Sequence, residues 1–350
     1  MPTYLLEGTN EVRLTVRPLN MTVRVEGTGV EAWLEVTQGG RPVPSVVRPP
    51  SMVILPRVEA PTTVSVIPTG RERFPSQTVV HFSVAVEDRE SGDPQRAVLV
   101  PVDVSGLDRK DLVSVELVDG ALSLRAAQNK EDADLGALGN AARVAARELL
   151  GVQSLDESTA VTMNIAVDGS GSALRLARNG TFAGLIRVLT GVAQVVTNGT
   201  EISAGVIGNS AERFPSQTLA ALPQSVQDAQ LSRIPSNGFR SVPWLPGTQP
   251  DDPNAITYLL TDSLPADVVG LETAEQAAPH RRHIVAVTSP GAWRLLGGTT
   301  VRSTVVEPPV GEETLEARLL ANPAVLRELV TSLLQTVFDR DTVLAERTGL

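Results

Sequence analysis

The 350-residue sequence predicts an α/β protein, in which a mostly parallel, doubly wound sheet follows an all-β, sandwich-like domain. Three observations carry that expectation. Apolar and polar residues alternate with period two from Glu11 to about Gln128, short apolar strands alternate with helical stretches after that, and a chain of this length with 42% hydrophobic residues suits two cores.

In the first part, residues 1–128, strands are marked by Val12, Leu14 and Val16, by Met21, Val23 and Val25, and by Trp33 and Val36. Turn signals recur at Gly27-Thr28-Gly29, Gly39-Gly40, Pro49-Pro50, Pro68-Thr69-Gly70 and Ser91-Gly92-Asp93-Pro94, as in an antiparallel sandwich or barrel. Asp119-Gly120, between Val113–Val118 and Ala121–Arg125, is a hairpin signature, because both turn residues must accept positive φ.

A polar stretch, Gln128 to Asp134, precedes Leu135, Leu138, Ala142, Ala145, Leu149 and Leu150, spaced for one helical face and stopped by Gly151. We read residues 129–155 as a linker helix. The second domain, 156–345, then offers strands at Val161–Val167, Ile202–Ile207, Ile256–Leu260, Ile284–Thr288 and Val301–Val306, and helices at Thr181–Val196 and Glu312–Val337. Near-continuous apolar strands of this kind are buried on both faces, with Val161–Val167, Ile256–Leu260 and Ile284–Thr288 central.

Composition removes several functions. With no cysteine, disulfides, thiolate metal sites and cysteine nucleophiles are excluded, so any metal must be held by oxygen or by His81, His280 and His283. A net charge of −10 disfavours nucleic acid as a partner. The chain starts without a signal-peptide pattern and carries no membrane-spanning run, so the expectation is a soluble, cytoplasmic protein. Of 30 basic residues only Lys110 and Lys130 are lysines, the arginine bias expected of a high-GC bacterial genome.

The sharpest chemical signal is Asn164-Ile-Ala-Val-Asp168-Gly169-Ser170-Gly171-Ser172, an apolar strand running into Asp-x-Ser-x-Ser. In an open parallel sheet ligands collect beyond the carboxyl ends of the strands, so these three side chains converge there. A carboxylate and two hydroxyls form a hard oxygen set, suited to Mg²⁺, or to Mn²⁺ or Ca²⁺, with water completing the shell. Without other context the same turn is also what a helix cap uses.

Asp168-Gly-Ser-Gly-Ser172 resembles the metal-ion-dependent adhesion site of von Willebrand factor A domains and integrin inserted domains, and Tyr258-Leu-Leu-Thr-Asp262 resembles that family's later strand. The resemblance covers about residues 156–345. It implies that Ser170 and Ser172 coordinate the cation directly, that Asp168 holds it mainly through water, and that Asp262 adds a carboxylate. Two positions depart from the family pattern. Ser263 stands where glycine is usual, and the loop Pro235–Pro243 supplies Ser241 or Ser236 where the family places a threonine ligand. Pro243, Pro246, Pro250 and Pro253 then leave little room for the helix that normally follows.

Enzyme signatures are missing: there is no Gly-rich phosphate loop with lysine, no Gly-x-Ser-x-Gly elbow, and no nucleophile paired with a base. His280 and His283 are read as an exposed strand entry, and Trp33, Trp244 and Trp293 as core or loop packing. A heptapeptide occurs twice, Glu72–Thr78 and Glu212–Thr218, and is read as a shared loop-to-strand entry. The expectation is therefore a non-enzymatic, cation-dependent protein-binding module whose partner supplies an acidic residue to the metal. The alternatives are a scaffold with a vestigial site and a substrate-presenting cofactor of a ring ATPase.

Overall fold

A computed structural model describes residues 3–8, 10–27, 29–43, 46–48, 52–86, 95–127, 132–199, 201–214, 217–241, 252, 254–296 and 299–339. The chain is mixed α/β with three sheets, and it divides into two units, Met1–Asp132 and Ala133–Leu350. No helix among the described residues is long and apolar enough to cross a membrane.

The first unit contains two sheets. One runs in the order Thr3–Leu6, Gln95–Leu99, Val79–Val86, Leu19–Glu26, Met52–Leu55, Val46–Arg48, with Val102–Asp103 also on Val79–Val86. The other runs Glu11–Leu14, Ala121–Ala126, Lys110–Val118, Thr62–Thr69, Glu31–Gln38, Arg41–Pro42. All pairings are antiparallel except Thr3–Leu6 with Gln95–Leu99. Alternate residues of both sheets, among them Met21, Val53 and Phe82 from one and Leu34, Val64 and Leu124 from the other, meet in one apolar core, which explains the period-two pattern. The Asp119-Gly120 hairpin forms as expected, with φ of 52° and 76° at its two turn residues. The predicted turns at Pro49-Pro50 and Ser91–Pro94 and the residue Thr28 lie outside the described residues. Trp33 departs from expectation. It stands half-exposed on the outer face of its strand, between buried Ala32 and Leu34, whereas Trp293 is buried and Trp244 lies outside the described residues.

The sheet of the second unit runs Ala211–Arg213, Glu201–Ile207, Thr162–Asp168, Ala255–Thr261, Arg282–Val287, Ser303–Val306. The last five are mutually parallel, and Ala211–Arg213 is antiparallel to its neighbour, as is the short Gln217–Thr218. The three strands expected to be central are central. One face, through Ile165, Val206, Tyr258 and Val285, packs on helices Gly136–Leu150, Thr181–Val196, Leu222–Ser232 and Pro323–Phe338. The other face, through Ala166, Leu259 and Ile284, packs on Leu271 of helix Val268–Ala277 and on Trp293.

Two elements differ from the sequence expectation. Helix Gly136–Leu150, read as a linker, lies within the second unit against Thr181–Val196, its buried face being Leu138, Ala142, Ala145 and Leu150. The stretch 312–337 forms two helices, Leu315–Ala321 and Pro323–Phe338, because Pro323 cannot continue the first but suits the opening turn of the second.

Candidate metal centre

Strands Thr162–Asp168 and Ala255–Thr261 are adjacent and in register, Val167 opposite Leu260, so Asp168 and Thr261 finish side by side at the carboxyl edge of the sheet. Both are fully buried. The Thr261 hydroxyl donates to Asp168 Oδ2 at 2.9 Å, and the Ser170 backbone N–H donates to Asp168 Oδ1 at 2.7 Å. Above this base, Ser170 Oγ and Ser172 Oγ are 3.1 Å apart, and Ser172 Oγ donates to Asp262 Oδ1 at 3.0 Å. A continuous string of oxygens therefore climbs from buried Thr261 and Asp168, through buried Ser170, to exposed Ser172 and half-buried Asp262.

The loop is shaped by its neighbours. Gly169 N–H donates to Ile207 O at 2.7 Å, and a Cβ at this glycine would lie 2.7 Å from Val206 Cγ1, so a side chain here would drive the loop off the sheet. On the outer side Ser236 pairs with Ser170 as an isolated bridge, its N–H donating to Gly169 O at 3.2 Å and its carbonyl accepting from Gly171 N–H at 2.8 Å.

Burial, the largest effect, pushes the Asp168 carboxyl up to about 6, and the charge of Asp262 adds to it, while hydrogen bonds from Ser170 and Thr261 pull the other way. Among the described residues no cationic side chain is paired with Asp168. A buried carboxylate held near a second carboxylate without a counterion is the electrostatic setting that a cation relieves.

Whether these residues suit Mg²⁺ can be tested on spacing. Bonds of 2.0–2.1 Å at right angles place neighbouring oxygens about 2.9 Å apart. The Ser170–Ser172 and Ser172–Asp262 separations, 3.1 and 3.0 Å, match that edge. The donors fit. Among the described residues no group of three or more His, Asp or Glu converges on one point; three of the five members of the oxygen set, Thr261, Ser170 and Ser172, are hydroxyls.

Four of the five residues assigned from sequence, Asp168, Ser170, Ser172 and Asp262, come together. Ser241 does not join them. Its N–H and its hydroxyl both donate to Asp267 Oδ1, at 2.8 and 3.0 Å, and it is buried against the opposite face of the sheet. Ser236 is the loop serine beside Ser170, but its hydroxyl donates to the carbonyl of Gly238, with that of Gly169 3.4 Å away. Pro243, Pro246, Pro250 and Pro253 lie outside the described residues. Thr261 contributes more than the Thr-Asp pattern implied, and only strand register could have shown it facing Asp168. His280 and His283 are not a pair. His280, at φ 59°, is half-exposed near Asp339, whereas His283 is buried inside the sheet, its ring nitrogens 2.7 Å from the hydroxyls of Thr336 and Thr304.

No family model and no curated protein matches the chain. Among solved structures, human GIVD cytosolic phospholipase A2 in complex with methyl gamma-linolenyl fluorophosphonate inhibitor and terbium chloride is 10% identical, with a TM-score of 0.13 over 57% of this chain and 46% of that one. A likeness so small carries no conclusion about fold or activity, and this chain spans less than half of that protein.

Proposed function

We propose that the second unit is a divalent-cation-dependent protein-binding domain of the von Willebrand factor A type, with Ser170, Ser172 and Asp262 contacting Mg²⁺ and Asp168 behind them. The observation that carries this reading is the convergence of Ser170, Ser172 and Asp262 on buried Asp168 at the carboxyl edge of the sheet. The strand order supports it: leaving aside the short Gln217–Thr218, the strands numbered along the chain lie in the order third, second, first, fourth, fifth, sixth, and the cluster sits at the reversal point, where such sheets bind ligands. The cation, when bound, supplies a positive centre that accepts further oxygen ligands. A carboxylate from a partner protein suits it in charge and hardness, and the chain has no turnover of its own in this reading.

A second reading has its own observation. Ser172 already donates to Asp262, and Ser170 and Thr261 already satisfy Asp168, so the cluster is closed without metal, as a vestigial site in a scaffold would be. Calorimetric titration of Mg²⁺ into wild type and Asp168→Ala separates the two. The expected result is saturable binding to wild type only, with partner capture that needs Mg²⁺ and is lost in chelator and in the variant. Equal capture in all conditions would establish the scaffold.

A further inference from the structure

Helix Leu222–Ser232 carries three glutamines at three-residue spacing; Gln224 donates to Asp228 within the helix, while Gln227 and Gln230 reach out from it. Gln230 Nε2 donates to the backbone carbonyl of Asp168 at 2.9 Å, and Gln227 Nε2 donates to that of Ala177 at 3.1 Å. Asp168 opens the loop that bears Ser170 and Ser172, and Ala177 lies in the short helix Leu174–Arg178 that closes it. The two amides thus grip both ends of one loop from a single rigid helix. Gln230 is buried, and its Oε1 has no hydrogen-bond partner among the described residues. An apolar side chain of similar length, such as methionine, would avoid that unsatisfied oxygen, so packing alone does not account for a glutamine here.

Resting on the metal reading above, we propose that Gln227 and Gln230 are positioning residues that fix the span of the Asp168–Ala177 loop, and so the hydroxyl spacing that favours Mg²⁺ over Ca²⁺. The physical reason is the difference in tolerance between the two ions. Mg²⁺ demands near-ideal octahedral geometry at short bond lengths, whereas Ca²⁺ accepts longer bonds and irregular shells. A loop released at one end widens its range of oxygen spacings, which weakens Mg²⁺ binding and leaves Ca²⁺ binding nearly as it was.

The test compares wild type, Gln230→Met and Gln227→Met, the latter removing the more accessible amide should the buried change disturb folding. Two readouts are taken: calorimetric affinities for Mg²⁺ and for Ca²⁺, and amide hydrogen exchange of Gly169, Ser170 and Gly171 without metal. Outer-shell changes lower metal affinity by about 10- to 100-fold, and that loss is expected for Mg²⁺, with a clearly smaller change for Ca²⁺, whose shell tolerates irregular geometry. Exchange of the three loop amides is expected to quicken while that of Ile165 to Val167 stays unchanged. Equal loss for both ions, or no loss, would overturn the selectivity role. Unchanged loop exchange in both variants would overturn the clamp itself, whether or not metal binds. Wild type that binds neither ion would overturn the metal reading and the selectivity role with it, while the exchange measurement would still decide whether the two glutamines clamp the loop.

Discussion

At the scale of single residues, two fully buried titratable groups of the second unit, Asp168 and His283, are pushed in opposite directions. Burial raises Asp168 toward neutrality and drives His283 down to about 3, because each loses the solvation of its charged form. For His283 the consequence is acid sensitivity. Above the ordinary value of 6.5 the imidazole is neutral in both folded and unfolded chains, and its contribution is intact. Between there and about 3 the unfolded chain binds a proton that the folded one refuses, so stability falls as pH falls, by ~1.4 kcal/mol per unit at most. We expect His283→Asn to flatten the decline in urea-unfolding free energy between pH 6.5 and 4 relative to wild type, even where it lowers stability at pH 7. Parallel declines would show that the ring is protonated in the fold. The position of this histidine was not legible from sequence. It was read as an exposed strand entry, but the partners that make burial tolerable, Thr304 and Thr336, lie 21 and 53 residues away. Asp168, Ser170, Ser172 and Asp262 were legible because local pattern and parallel-strand topology suffice to place them. Ser241 was not, because its partner Asp267 belongs to another element.

At the scale of elements, what was legible followed from periodicity. Thr181–Val196 has the bounds its apolar spacing predicted, and the five parallel strands fall within about two residues of expectation. Weakly patterned elements were missed, including Leu222–Ser232, whose polar residues and Pro223 conceal a short helix. The repeated heptapeptide shows context overriding local sequence. Glu72–Thr78 is a turn ending in Gln77 at φ 60°, with Phe74 buried, whereas Glu212 and Arg213 lie in a strand and Gln217–Thr218 pair with Glu201 and Ile202; Pro215 and Ser216 lie outside the described residues. It is therefore not a shared entry to a strand. The reassigned helix Gly136–Leu150 approaches Thr181–Val196 where Gly191 has no side chain. A Cβ there would lie 2.3 Å from Gly139 O and 2.8 Å from Arg143 N, both backbone atoms. Overpacking at such a point costs ~1–3 kcal/mol, so Gly191→Ala should lower the urea midpoint accordingly with the denaturant slope unchanged. A neutral result would show that the two helices are free to separate.

At the scale of the whole molecule, the two units hold separate cores. The apolar cluster of the first draws only on residues from Leu6 to Leu124, and those of the second only on residues from Leu135 to Phe338. Cooperativity follows contiguous packing, so cores that share no residue are expected to unfold as two events rather than one. The Mg²⁺ reading then makes a prediction about which event moves. A ligand that binds only a folded unit stabilises that unit by ~2.7 kcal/mol at a free concentration of 100 times its dissociation constant. Mg²⁺ should therefore raise one calorimetric transition and leave the other in place. Phe82→Ala, which opens a cavity in the first core, should lower the transition that Mg²⁺ leaves alone, and Asp168→Ala should abolish the Mg²⁺ shift without touching it. A single transition, displaced alike by Phe82→Ala and by Mg²⁺, would mean that folding of the β unit and occupation of the metal site are one cooperative process.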